Sequence, residues 1–265
     1  MLKDVLILHR GLTPGQSRPN SFEAIRDKYE SAFECDVFML ADGALAIVHN
    51  KDMGLSQEQI EAMTTGVFYS LHVKDRETQT EGSPAPLFRE YLALALDRGN
   101  KLALEIKGSS PQMARKTARR IVEETRGLDP KLLQSSISLH SFSVEALEEA
   151  QDAMREHGVQ MKRALFWPSA PARALEMSIS ATVLSYLEGE YSSTEIPQWT
   201  EAGIKLAHQK GFDIIDLQEG VITPDLVRKA HSYGIEVNAW VVNNADRAKV
   251  LENMSVDHII TDTLG

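Results

Sequence analysis

The sequence predicts an α/β protein with a single (β/α)8 barrel of the TIM type and a small inserted lobe after the second strand. Short runs of aliphatic and β-branched residues alternate with helical segments along the chain, which is the pattern of parallel strands joined by crossover helices. Eight such runs in 265 residues fit a closed barrel better than an open sheet. Residues 1–265 are therefore predicted to form one domain.

Eight segments are predicted to be the barrel strands, because each is short and rich in aliphatic residues. They are residues 5–9, 33–40, 102–107, 135–140, 163–167, 213–217, 236–242 and 258–261. Three connecting helices carry both a start and a stop signal. They are predicted to open at Ser110, Ser143 and Thr223 and to be closed by Gly127, Gly158 and Gly234. Residues 181–186 are interpreted as an extra strand or a rim segment.

The second strand is predicted to continue into a hairpin. Asp42 and Gly43 separate two apolar runs, and Asp-Gly in that position is a strong signal for a two-residue turn. Counting outward from such a turn places Asp36 opposite His49, where the Cβ atoms of paired residues are about 5 Å apart. Residues 51–99 are too many for one crossover and are predicted to form the inserted lobe near the barrel mouth.

The alternation of side chains predicts which groups share a face of the sheet. Side chains along a strand alternate with a period of two, so Glu34 and Asp36 lie on one face of their strand. The same rule aligns Glu105 with Lys107. Cys35, between the two acids, is expected to point the other way into packing.

Composition and charge exclude several classes of function. The formal net charge of −10 argues against broad binding to nucleic acids or anionic membranes, which requires clustered Lys and Arg. No apolar stretch approaches the roughly 20 residues of a membrane-spanning helix, so no stable membrane insertion is expected. The single cysteine, Cys35, cannot form an internal disulfide, and no basic and apolar leader precedes the first strand. A cytoplasmic location is therefore expected.

Polar clusters follow apolar runs in the first 107 residues. They are His9-Arg10-Gly11, Glu34-Cys35-Asp36, His49-Asn50 and Glu105-Ile106-Lys107. Catalytic groups of a (β/α)8 barrel gather at the carboxyl ends of its strands, so these side chains are expected to form one site. Its three carboxylates are an all-oxygen set suited to Mg²⁺ or Ca²⁺, and no thiolate or His-rich spacing favours zinc.

These groups are suited to chemistry on a phosphodiester. A divalent cation together with Arg10 and Lys107 would neutralise phosphate oxygens and stabilise the charge of the transition state. His9 and His49 would act in turn as base and acid, because the ordinary pKa of histidine, about 6.5, is close to neutral pH. For His140, at the end of the fourth strand, lining of the pocket and packing are equally expected.

Motifs along nearly the whole chain resemble those of the glycerophosphodiester phosphodiesterase family. They are His9-Arg10-Gly11, Glu34-Cys35-Asp36-Val37, His49-Asn50, Leu104-Glu105-Ile106-Lys107, Ser141-Phe142, Trp240-Val241-Val242-Asn243 and residues 256–262. The resemblance implies a (β/α)8 barrel that acts on a small-molecule phosphodiester. It also implies a role for each candidate residue: metal ligation by Glu34, Asp36 and Glu105, acid and base catalysis by His9 and His49, phosphate contacts by Arg10 and Lys107, and pocket lining by Phe142 and Trp240.

The sequence departs from the family pattern at two positions. The family's Pro-Glu-Asn-Thr is Arg18-Pro19-Asn20-Ser21 here, so a carboxylate that often supports the metal site is missing. Asn50 follows His49 where the family has Asp. The loss of a negative charge beside the imidazole is expected to lower its pKa.

Three functions remain open at this stage. The first is metal-dependent hydrolysis of glycerophosphodiesters to glycerol phosphate and an alcohol. The second is cleavage of lysophospholipids by the same chemistry, of the lysophospholipase D type. The third is a barrel that binds phosphodiesters without turning them over, which the missing carboxylates make conceivable. The first is favoured because all seven proposed core residues are present.

Overall fold

Eight parallel strands close into the predicted barrel in a computed structural model, which describes residues 5–26, 28–169 and 196–264. The strands are β1 Leu6–His9, β2 Ala32–Met39, β3 Leu45–Ile47, β4 His72–Lys74, β5 Glu81–Pro84, β6 Lys101–Ile106, β7 Ile137–Ser141, β8 Lys162–Trp167, β9 Ile214–Gln218, β10 Glu236–Trp240 and β11 His258–Thr261. The barrel order is β1-β2-β6-β7-β8-β9-β10-β11, and β11 pairs with β1 to close the ring. The eight predicted barrel strands are confirmed with small shifts at their ends.

Helices connect these strands. They are α1 Phe22–Arg26, α2 Gln57–Glu61, α3 Thr65–Phe68, α4 Phe88–Asp97, α5 Pro111–Thr125, α6 Pro130–Ser136, α7 Val144–His157, α8 Ile196–Gln209, α9 Pro224–Ser232 and α10 Ala245–Asn253. Two 3₁₀ helices span Asn50–Met53 and Glu219–Val221. The caps predicted at Ser110, Ser143 and Thr223 are confirmed, because each side chain accepts a backbone N–H from the first turn of its helix.

The segment before β7 is helical where the sequence predicted strand. Residues 135 and 136 end α6 and do not begin the strand. The side chain of Asp129 caps this helix by accepting the amides of Lys131 and Leu132, and Pro130 occupies its first turn. Residues 181–186, the other segment with an open assignment, lie outside the described residues.

The predicted hairpin forms, but its turn contains three residues. The amide of Gly43 donates to the carbonyl of Leu40 at 3.0 Å, and the amide of Leu40 donates to the carbonyl of Ala44 at 2.8 Å. Gly43 has a φ of 83°, in the left-handed region that glycine adopts without steric cost. This is the three-residue hairpin loop with glycine in its last position.

The extra turn residue changes the register between β2 and β3. Asp36 aligns with Val48, whose amide donates to its carbonyl at 3.0 Å. The predicted pairing of Asp36 with His49 is therefore wrong by one residue. His49 lies beyond the end of β3 as the residue that precedes the 3₁₀ helix.

One face of β2 runs from the barrel interior into a second, smaller core. Glu34 and Asp36 are buried on this face inside the barrel, whereas Phe38 and Leu40 pack in a separate apolar cluster. That cluster also contains Ile60, Phe68, Val73 and Ala85. On the opposite face Cys35 packs in the main core, as expected. Among the described residues, no helix has both the length and the apolar character to cross a membrane.

Candidate active site

Three buried carboxylates meet at the carboxyl ends of β2 and β6. These strands pair in parallel with Asp36 beside Glu105, and Glu34 precedes Asp36 on the same face. Each side chain offers one oxygen, and these oxygens all lie within 4.8 Å of one another. That spacing is within the reach of one cation whose oxygen ligands lie at roughly 2.1–2.5 Å.

Two fixed cations balance the charge of Asp36. The ammonium nitrogen of Lys107 lies 2.9 Å from Asp36 Oδ1 and also binds Glu105, and Arg10 Nε lies 3.1 Å from Asp36 Oδ2. Burial alone would raise the pKa of Asp36, but Lys107 and Arg10 outweigh burial and hold that pKa well below its usual range. Asp36 is therefore an anion at every pH at which the protein works.

The other two acids carry charge that the protein does not fully compensate. Burial and the neighbouring carboxylates raise the pKa of Glu34 well above its ordinary value. Burial also raises the pKa of Glu105, although Lys107 opposes this. Glu34 Oε1 is buried and has no hydrogen-bond partner among the described residues. A hard divalent cation fits this set, because it would satisfy the orphaned oxygen and relieve the repulsion between the acids.

The tautomer of His9 is fixed by Asp262, the residue that follows β11. His9 Nδ1 lies 2.8 Å from Asp262 Oδ1. Burial would raise the pKa of Asp262, but hydrogen bonds from His9 and Asn243 lower it to about 2. Because the carboxylate can only accept, His9 carries its proton on Nδ1. Its Nε2, 3.7 Å from Glu34 Oε2, is therefore the nitrogen that can accept a proton.

His49 is held in the neutral form with the opposite tautomer. Its Nδ1 accepts the amide of Lys51 at 3.2 Å, so the ring proton is on Nε2. Burial lowers the pKa of His49 to about 4, Asp36 opposes this shift, and Lys107 and Arg10 strengthen it. The register of the hairpin differs from the prediction, yet His49 still borders the same cavity as Glu105 and Lys107.

A tight turn after β1 places Arg10 over the acids. Arg10 has a left-handed φ of 53°, and its amide donates to Glu34 Oε2 at 3.2 Å. The next residue is Gly11, where a Cβ atom would lie 2.6 Å from the Cβ of Ala24 in α1. A side chain at this position would push α1 away, which explains the glycine of the His-Arg-Gly motif.

Two polar residues that the sequence did not single out support the acids and Arg10. Asn20, the residue after Pro19, donates from Nδ2 to Asp36 Oδ2 at 2.8 Å. Asp52, in the 3₁₀ helix of the lobe, accepts from Arg10 Nη1 at 3.0 Å. Asp52 also binds Arg76 through both carboxylate oxygens, at 2.8 and 3.0 Å from Nη2. A carboxylate from the lobe thus contacts the site although the expected one, at position 19, is missing.

Replacement of Asp52 by Asn is expected to lower kcat/KM about tenfold, mainly through KM, because Arg10 would lose a partner that orients it. The measurement is steady-state kinetics of diester cleavage together with the Tm. Asp225→Asn is the matched control, because Asp225 pairs with Arg228 on the exposed face of α9. An unchanged KM in the Asp52 variant would show that this contact does not position Arg10.

Three aromatic side chains form one wall of a cavity beside the acids. Phe142 stacks on Phe166 with ring centroids 4.8 Å apart, and Trp240 meets both rings edge to face. The cavity has a volume of about 190 Å³ and is also bordered by His9 and His49. Phe166 was not predicted. It could have been found from its position in β8, because the alternation of side chains along the strand places it on the face that points into the barrel.

His140 lies beneath this wall and does not border the cavity. It is buried, and its Nδ1 and Nε2 lie 2.7 Å from Asp216 Oδ2 and Ser138 Oγ. Asp216 also accepts from Asn238 at 2.7 Å, and its carbonyl accepts the indole N–H of Trp240 at 3.0 Å. The packing interpretation of His140 therefore holds, in a polar network that supports Trp240 from below.

Comparison with known proteins agrees with this architecture. The chain is 23% identical over 253 residues to the Arabidopsis thaliana glycerophosphodiester phosphodiesterase GDPD4, and this region covers 92% of the chain and 66% of that relative. A structure of a Parabacteroides distasonis glycerophosphodiester phosphodiesterase has a TM-score of 0.70 at 21% identity, covering 97% of this chain and 92% of that one. An Oleispira antarctica phosphodiesterase, solved in complex with its product sn-glycerol-3-phosphate, has a TM-score of 0.69 at 20% identity, with 97% and 92% covered. At these identities the solved structures establish the shared fold.

The fold and the site together define a (β/α)8 barrel with a buried acidic site at the carboxyl ends of its strands. The family model described as the glycerophosphoryl diester phosphodiesterase family matches residues 9–265. The chain belongs to that family.

Proposed function

We propose that the protein hydrolyses glycerophosphodiesters to glycerol phosphate and an alcohol, with a divalent cation held by Glu34, Asp36 and Glu105. The observation that carries this proposal is the His9–Asp262 pair, which directs Nε2 of the imidazole toward the buried acids beside a small cavity. Lys107 and Arg10 supply fixed positive charge beside Asp36, one of these acids. The products would belong to lipid and glycerol metabolism.

The proposed mechanism uses the two imidazoles in turn. His9 Nε2 takes the proton of the glycerol hydroxyl next to the phosphate as that oxygen attacks phosphorus, and the bond from phosphorus to the alcohol breaks. His49 protonates the departing alcohol, and a water molecule then opens the cyclic ester with the roles reversed. When bound, the cation supplies positive charge that stabilises the extra negative charge at phosphorus. Arg10 and Lys107 contribute the same stabilisation from the protein.

The cavity supports glycerol as the part of the substrate that is recognised. Its volume of about 190 Å³ is below the roughly 300 Å³ at which sites for larger ligands begin. Phe142, Phe166 and Trp240 close its wall. This space suits the carbon face of a glycerol unit.

The test is release of glycerol 3-phosphate from glycerophosphodiesters, and of choline and an acylglycerol phosphate from lysophosphatidylcholine, with Mg²⁺, Ca²⁺ or a chelator. We expect products from the glycerophosphodiesters only, and only with a divalent cation. Faster turnover of lysophosphatidylcholine would show that lysophospholipids are the substrates instead. Tight binding of a diester without product over a long incubation would indicate a binding barrel instead.

His49 is expected to remain neutral down to about pH 4 in the metal-free protein, since burial and the nearby cations disfavour its charged form. Between pH 6.5 and 4 the unfolded chain takes up a proton that the folded protein does not, so this residue makes the protein less stable as pH falls through that range. The measurement is an NMR titration of the imidazole, with a His49→Asn variant to assign the signal. The Tm of that variant should also fall less than the Tm of the wild type when the pH is lowered. Titration near pH 6.5 would contradict the prediction.

Binding of the anionic diester would raise the lowered pKa of His49. Negative charge beside an imidazole raises its pKa, so the substrate itself favours the protonated His49 that the first step of the mechanism requires. An inorganic phosphate titration of the same NMR signal is expected to move the midpoint upward.

A further inference from the structure

A second cavity adjoins the candidate active site on the side of the inserted lobe. It has a volume of about 230 Å³. It shares His49, Glu105, Lys107 and Phe142 with the cavity walled by Phe142, Phe166 and Trp240, called the aromatic cavity below. The two spaces therefore meet at Glu105, Lys107 and His49, which the mechanism uses. If glycerol occupies the aromatic cavity, the alcohol on the other side of phosphorus has this second space available. The inference that follows rests on the proposed function.

The second cavity is lined by polar groups from both the lobe and the barrel rim. Asn50, Lys51 and Gln57 come from the segment that follows β3, and Ser110 directly precedes α5. The Ser110 hydroxyl accepts the amide of Met113 and keeps its own O–H to donate. One Asn50 amide hydrogen is used by the carbonyl of Leu55, which leaves its Oδ1 as an acceptor.

Lys51 adds positive charge that the lining does not balance. Its backbone amide holds His49, but its side chain forms no ion pair with any residue in the described part of the chain. Glu105 is the carboxylate among the described lining residues, and it is bound by Lys107. The cavity therefore favours hydroxyl groups and negative charge.

The same lining disfavours a cationic alcohol. Quaternary ammonium groups are held by several aromatic faces or by free carboxylates, and Phe142 is the aromatic side chain among the described residues that border this cavity. A trimethylammonium group would be placed near Lys51 and Lys107 without a compensating acid. The volume of about 230 Å³ suits a small alcohol.

We propose that this cavity is the subsite for the leaving alcohol and that it selects a small polyol, neutral or negatively charged, over choline. Glycerol and inositol have the required size class and hydroxyl content. Lys51 is the specificity-determining residue, because it is the lobe side chain whose charge separates these two kinds of alcohol.

The test compares kcat/KM for glycerophosphoglycerol, glycerophosphoinositol and glycerophosphocholine, each followed by glycerol 3-phosphate release. The wild-type protein is expected to prefer the polyol diesters roughly tenfold, as a figure for lost hydrogen bonds together with one like charge. Lys51→Glu should reduce that preference about fivefold or more, chiefly through KM. Lys74→Glu is the control, because Lys74 is an exposed lysine on β4 of the same lobe and makes the same change in net charge.

The outcomes separate this inference from the proposed function. Release from all three diesters at equal efficiency, or an unchanged preference in the Lys51 variant, would overturn the subsite while leaving the hydrolase in place. Equal effects of the Lys51 and Lys74 variants would do the same, since a long-range charge effect would then explain the result. No release from any diester with either metal would overturn the proposed function, and the subsite with it.

Discussion

Glu34→Gln is expected to lower kcat/KM for diester cleavage about 1,000-fold or more while leaving the metal-free protein at least as stable as the wild type. The loss of activity follows because the variant removes one anionic ligand from an all-oxygen set and weakens the charge stabilisation at phosphorus. The stability follows from the raised pKa of Glu34. The folded protein binds the proton of Glu34 more tightly than the unfolded chain does. Above the unfolded pKa of 4.5, ionisation of Glu34 therefore lowers the free energy of unfolding, and the uncharged amide of glutamine avoids this loss.

Two measurements check this expectation. Steady-state kinetics gives the activity, and Tm with and without Mg²⁺ or Ca²⁺ gives the metal effect, since a cation that binds only the folded protein raises the Tm. The variant should lose most of that rise. Glu58→Gln, an exposed acid in α2, is the control and should change neither quantity. A variant that still gains the full Tm increase from the cation would show that Glu34 is not a ligand.

His9→Gln is expected to lower kcat/KM about 1,000-fold, because general acid–base catalysis typically contributes a factor of roughly 10²–10⁴. Glutamine can still donate a hydrogen bond to Asp262 but has no basic nitrogen. Asp262→Asn should cost less, about 100-fold, because the imidazole remains but faces an amide. The amide carries no charge and can present either an acceptor or a donor, so it no longer fixes the tautomer. Single-turnover kinetics over a pH series is the measurement.

His231→Gln is the matched control for this pair of variants. His231 Nε2 lies 2.9 Å from Asp257 Oδ2 on the outer side of the barrel, so the variant removes an imidazole–carboxylate contact of similar length away from the site. It should retain full activity. If His9→Gln retains activity to the same degree, His9 is not the base.

The sequence was sufficient for the parts of the fold that depend on local signals. Helix caps such as Ser143 and Gly158 are read from neighbouring residues, and the aliphatic runs of the eight strands are short and continuous. The hairpin register was wrong because Asp42-Gly43 is compatible with a two-residue and a three-residue loop, and only the hydrogen bonds of the folded chain distinguish them.

The site was predictable in its composition and not in its supporting contacts. Motifs identified the seven proposed core residues, and strand alternation placed Glu34 beside Asp36. Asp52 could not be found in this way, because it reaches Arg10 from a lobe whose path no local pattern describes. The Asp262 contact with His9 joins residues 253 positions apart, and only the closure of the barrel brings them together.

The contact between His9 and Asp262 means that the proposed base is correctly oriented only when the barrel has folded completely. One partner ends the first strand and the other follows the last, and β1 meets β11 only when the ring is joined. A chain that has formed most of its strands but not this seam would hold its acids together, because β2 and β6 are neighbours early in the chain, yet its imidazole would lack orientation. During refolding, cation binding should therefore recover before turnover, and the delay between the two would time the final docking of the last strand against the first.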